Sequence, residues 1–150
     1  MRNYVVFALF IALAGCATTP VERAPSEYLL ATDKDIAKAL KDVRTELEKN
    51  KYAIKKEDLN SGILITIPRK FFYEEDGKKK SAYQTLQFRQ EGGSVKIRIV
   101  YKCNYGEELD SIEPCHKDDT ALRSKISRLE PLLIKAIQPA LLKYGEKNEK

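Results

Sequence analysis

Three apolar alternations separated by two short turns constrain the fold of this chain more than any other feature. Ile63, Ile65 and Ile67 alternate with polar neighbours, as do Leu86 and Phe88, and then Val95, Ile97 and Ile99. That period of two belongs to half-buried strands. Asp76-Gly77 and Gly92-Gly93 lie between them, and each pair suits a two-residue hairpin turn. Centring one hairpin on Gly92-Gly93 sets Phe88 opposite Ile97 and Leu86 opposite Ile99. Centring the other on Asp76-Gly77 sets Ile65 opposite Phe88 and Ile67 opposite Leu86. Both turns bring apolar partners to one face, where cross-strand packing stabilises the pairing. Pro68 cannot donate to a ladder, and Arg69 would point inward in an unbroken strand, so a bulge or bend is expected beside them.

Helical patterns flank these strands. Thr32-Asp33-Lys34-Asp35 has the form of a capping box, and Ile36, Leu40, Val43 and Leu47 follow at helical spacing to an end near Asn50. Tyr52 and Ile54 alternate with lysines as a short first strand, and Glu57 to Gly62 is turn chemistry. After Cys115, the residues Leu122, Ile126, Leu129, Leu133, Ile137 and Ala140 form a second stripe. Pro131 and Pro139 within it predict a kink or two shorter helices. The expected fold is α+β: a helix, a four-stranded antiparallel meander and a kinked C-terminal helix, with both helices over one face in two layers. The domain is read as residues 28–145, followed by a polar tail at 146–150.

The N-terminus is of a different kind. Arg2 precedes an apolar run from Tyr4 to Leu13, and Ala14 and Gly15 are small. This order is that of a secretory signal, and the run falls short of the about 20 residues that span a bilayer. Leu13-Ala14-Gly15-Cys16 resembles the lipobox of bacterial lipoproteins. The resemblance implies removal of 1–15 and diacylglycerol attachment and N-acylation at Cys16. Ala17, in place of a retention aspartate, implies the outer membrane, on the periplasmic side. Residues 16–27 then read as the lipidated cysteine and a flexible tether, which fully extended would reach roughly 35 Å.

Loss of Arg2 with the signal leaves a formal net charge of +4, one less than the +5 of the whole chain. That excess suits anionic surfaces, and export argues against nucleic acid as the partner.

Little in the chain offers catalysis. There is one histidine and no Gly-rich phosphate loop, H-E-x-x-H or G-x-S-x-G. No enzyme activity or cofactor is implied. Cys103 and Cys115 remain as an even pair in an oxidising compartment, which favours a disulfide. A metal site of Cys103, Cys115, His116 and Asp118 or Asp119 is the open alternative, although its spacing matches no familiar zinc motif. The alternation that buries Phe88 and Ile97 turns Arg89, Lys96, Arg98, Lys102 and Tyr83 outward. That face is either ordinary solvated surface or a docking face for an acidic partner or anionic lipid.

Residues Ala39 to Pro68, "ALKDVRTELEKNKYAIKKEDLNSGILITIP", resemble the repeating domain of BamC, an accessory lipoprotein of outer-membrane β-barrel assembly. The resemblance implies a helix-grip fold and an assembly role. The functional expectation is an outer-membrane-anchored adapter binding an envelope protein. The alternatives are a lipid or small apolar ligand binder and, third, an envelope enzyme.

Overall fold

The computed structural model describes residues 20–32, 35–106 and 111–142. The expected signal, Cys16 and the first part of the expected tether, Asp33 and Lys34 of the expected capping box, and the polar tail lie outside these residues.

The strands β1 (Ser26–Ala31), β2 (Ile54–Asp58), β3 (Ile63–Thr66), β4 (Arg69–Glu75), β5 (Lys78–Glu91), β6 (Ser94–Asn104) and β7 (Ile112–Pro114) join into one antiparallel sheet. Its order is β1-β6-β5-β3-β2, with β4 paired to β5 and β7 to β6. The helices α1 (Ile36–Lys49) and α2 (Thr120–Leu142) cover one face, which makes a two-layer α+β sandwich with helices gripping the sheet. Leu40, Val43 and Leu47 of α1 meet Leu86, Phe88, Ile97 and Ile99 of the sheet and Leu122, Ile126 and Ile137 of α2 in one buried core. Each fully buried side chain of this size stabilises the fold by roughly 1.5–3 kcal/mol relative to exposure.

The hairpin registers explain most of the sheet. Phe88 lies opposite Ile97 and Leu86 opposite Ile99, as the Gly92-Gly93 turn requires. Asp76 and Gly77 both adopt positive φ, 52° and 72°, the conformation that a tight two-residue hairpin needs. The third register is corrected by one residue. From Glu75–Lys78 to Arg69–Gln84 the pairing follows the turn, but across Ile67-Pro68 it slips, so that Leu64, not Ile65, lies opposite Phe88. Leu64 and Thr66 are therefore the buried residues; Ile63 and Ile65 turn to the other face and Ile67 is exposed. Proline supplies no N–H, and one extra residue bulges there. The Leu86 N–H donates instead to the Thr66 hydroxyl at 3.0 Å, which satisfies a buried donor beside the break. Arg69 does take the inner face, over the Tyr52 ring at 4.7 Å, and donates to the Asn50 carbonyl.

Four further expectations change. The meander is longer than four strands, because β1 and β7 add to β6 and the bulge divides the second strand into β3 and β4. The domain begins before residue 28. Ser26 opens β1, the Arg23 N–H donates to the Cys115 carbonyl at 2.6 Å, and the Lys117 N–H donates to the Val21 carbonyl at 2.8 Å. Asp35 alone caps α1, accepting from the Lys38 N–H, whereas Thr32 is buried and donates to the Gly93 carbonyl. Finally, α2 runs through Pro131 and Pro139 as one helix, which agrees with the single C-terminal helix expected and sets aside only the alternative of two shorter ones.

Candidate functional site

The outward sheet face forms the candidate site. On β5 and β6 the residues Tyr83, Thr85, Gln87 and Arg89 lie opposite Lys102, Val100, Arg98 and Lys96, so the five residues expected on this face share it. Their electrostatic surroundings are unequal. Lys96 lies 3.3 Å from Glu27 and 3.6 Å from Glu91, and its pKa is raised chiefly by the Glu27 hydrogen bond. Arg98 is 3.9 Å from the same Glu27. Strand β1 supplies that carboxylate, so the strand missing from the sequence reading neutralises part of the basic face. Solvent-exposed pairs of this kind are screened by water and salt and add little to stability.

The other end of the face is less neutralised. A cleft of about 550 Å³ opens there, with Ile65, Pro68, Val100 and Ile112 as its apolar lining and Lys55, Lys56 and Lys102 around them. Tyr83 also lines it, with the Lys70 ammonium 5.9 Å from its ring centre. None of the three lining lysines makes a close ion pair among the described residues, although the Asp58 pKa is held down by the Ser61 hydrogen bonds and also by the Lys56 charge. A second depression of about 340 Å³ shares Lys56, Ile65 and Gln87 with it and continues toward Arg89 and Lys96. The two make one groove along the face. Lys55, Lys56 and Ile112 are not among the residues expected on this face, and Ile65 is expected to point inward. Lys56 became an outward neighbour only through the slipped β2–β3 pairing, which sets it opposite Ile65.

The inner side carries polar chemistry that sequence reasoning missed. Glu130, 6% exposed, accepts hydrogen bonds from Tyr28 at 2.7 Å and Tyr101 at 2.8 Å. The Gln84 amide donates to the Tyr101 hydroxyl, and its carbonyl accepts from Tyr52 at 2.6 Å. Burial first, and then the Glu130 hydrogen bond, push the Tyr28 pKa up to about 12. Burial also raises Tyr101 and Tyr52. These phenols stay neutral donors and tie β1, the sheet and α2 together. The available signal was a carboxylate at position 130, on the stripe between Ile126 and Leu133.

Cys103 and Cys115 are joined, with Cα atoms 4.9 Å apart and both residues fully buried. The bond takes both thiols that the metal alternative needed. His116 stacks on Tyr105 at 4.1 Å and lies 3.5 Å from Glu113. Asp119 is buried, accepts from Tyr73 and Tyr105, and caps α2 through the Leu122 N–H. These contacts give both residues structural partners.

No protein-family model and no curated protein match the chain. Among solved structures it is similar to a TBP-like protein from Parabacteroides distasonis ATCC 8503. That likeness has a TM-score of 0.52 and 10% identity, and covers 79% of this chain and 96% of that one. It shows a shared fold, helices gripping an antiparallel sheet.

Proposed function

We propose that this chain is an outer-membrane-anchored periplasmic lipoprotein, lipidated at Cys16, whose domain is a non-catalytic adapter for an envelope protein. The accessory role in barrel assembly implied by the BamC resemblance is one such adapter role. The observation that supports the reading most is the outward groove, where Lys55, Lys56 and Lys102 border Ile65, Val100 and Ile112 without close ion pairs among the described residues. Apolar side chains beside cations that make no close ion pair suit a partner segment that brings carboxylates and one apolar residue, since complementary charge gives register and specificity. The inner polar groups support the same reading, because Glu130 and Asp119 are already bound to tyrosines.

A second reading, a binder of a lipid or small apolar ligand, draws on a smaller cleft of about 280 Å³ between α2 and the sheet. Arg69 stands there beside Leu129, Leu132 and Leu133, and Leu132 is 66% exposed.

The test is a pull-down from envelope extract with the parent and two charge reversals, Lys56→Glu with Lys102→Glu and Lys96→Glu with Arg98→Glu. The first pair is expected to lose the partner and the second to weaken it. Exposed substitutions change stability by only about 0.5 kcal/mol, so melting curves should remain close. Parent capture should fall as salt rises. Equal capture by all three proteins at every salt concentration overturns the reading.

A further inference from the structure

The tether meets the domain at a pole that carries its own basic and aromatic notch. Val21 to Arg23 run beside Cys115 to Lys117, with Glu22 bridged to His116. Asp119, two residues further on, accepts from Tyr73 of β4 at 2.8 Å. The β4–β5 hairpin and the first turns of α2 therefore share this end of the fold. Between them a notch of about 500 Å³ is lined by Phe72, Lys79, Ser124, Lys125 and Arg128, with Glu74 as the carboxylate in the lining. Phe72 is 47% exposed, and the Lys79 and Lys70 ammonium groups lie 4.1 Å and 5.2 Å from its ring centre. Lys79, Lys125 and Arg128 make no ion pair among the described residues.

We infer that this pole docks on anionic phospholipid headgroups of the membrane that holds the anchor, an inference that rests on lipidation at Cys16. Reach is the first argument. The tether is fixed to the domain from Val21, so the chain from Cys16 to that point spans at most about 18 Å when extended. That is about half the length expected from the sequence, and it keeps the notch close to the headgroups. Charge is the second argument: three cations against one lining carboxylate leave the notch positive. Each basic residue at an anionic surface strengthens attraction by about five-fold, or about a hundred-fold for three. Chemistry is the third. An aromatic ring flanked by lysines suits the interface, where the ring enters the headgroup layer and the ammonium groups stay wet.

The test uses the processed, membrane-purified protein reconstituted into vesicles of phosphatidylcholine alone or with about 30% phosphatidylglycerol. Mass spectrometry of the same sample reports the acyl chains. Ser124→Cys carries an environment-sensitive dye; the other cysteines are occupied by lipid or by the disulfide. The expected result is a blue shift in the anionic vesicles alone, lost near about 0.5 M salt. Combining Lys79→Gln, Lys125→Gln and Arg128→Gln, which removes the three charges without reversing them, should weaken docking by about a hundred-fold, with circular dichroism unchanged. Phe72→Ser, which keeps the charges, should weaken it less. Acylated protein with the same spectrum in both vesicles, or with an unaffected triple variant, overturns the docking alone. Protein without acyl chains overturns the anchor and the docking together.

Discussion

Glu130→Ala should be among the most destabilising single changes in the domain. Glu130 is 6% exposed, and its carboxylate accepts from Tyr28 at 2.7 Å and from Tyr101 at 2.8 Å. A hydrogen bond to a charged group contributes about 1.5–3 kcal/mol, and a buried donor left without a partner costs about 1–3 kcal/mol. Truncation removes both bonds and leaves the buried Tyr101 phenol facing a cavity, whereas the half-buried Tyr28 hydroxyl can turn to water, so the expected loss is about 3–5 kcal/mol. Typical domains have only about 5–15 kcal/mol in total, so the alanine variant will be fragile. Glu130→Gln keeps one carbonyl acceptor and should lose about half as much, which makes it the measurable partner. With a urea slope of about 2 kcal/mol per molar, the alanine variant should unfold about 2 M earlier than the parent. Tyr28→Phe and Glu130→Gln combined should show a coupling of at least about 0.5 kcal/mol, because the two groups touch. An alanine midpoint within about 0.5 M of the parent would refute the reasoning, since it corresponds to less than about 1 kcal/mol.

Cys103→Ser opens the bond that pins β6 to the segment before α2 and should cost about 3 kcal/mol by loop entropy, read as a lower melting temperature under oxidising conditions. Stability should fall as pH rises from about 10 toward about 12. Tyr28 and Tyr105 have folded pKa values raised to about 12, so the unfolded chain releases their protons first. Urea titrations across that range check it, and a flat profile would contradict the buried phenols. Cys16→Ser should abolish incorporation of labelled fatty acid, and equal labelling would remove the anchor.

Features set by local spacing were legible in the sequence. The two turns fixed the β5–β6 register and the hairpin half of β4, and the 3.6-residue stripe of α1 buried Leu40, Val43 and Leu47. Non-local features were not legible. β1 has Tyr28, Leu29 and Leu30 in an unbroken apolar run, so its alternation is hidden, and its partner strand lies far along the chain. The strand emerges only in the pairing of Tyr28 with Ile97 and Leu30 with Val95. Pro68 announced a break, but its slip by one residue exchanged the faces of Ile65 and Thr66, and that displacement moved Ile65 into the groove. The basic residues of the site were visible as an alternation. Their differing neutralisation was not, because Glu27 comes from a strand that the sequence hides.

The proposed function requires an envelope protein in the outward groove. A photo-reactive phenylalanine analogue replacing Tyr83, at the floor of that groove, tests it most directly in intact cells. The same analogue at Ser127, on the exposed side of α2, is the comparison. One discrete cross-linked protein is expected from position 83, absent from position 127 and lost when Lys56→Glu and Lys102→Glu are added. Cross-links of the same pattern from both positions, or a product at 83 that survives the charge reversal, would contradict it.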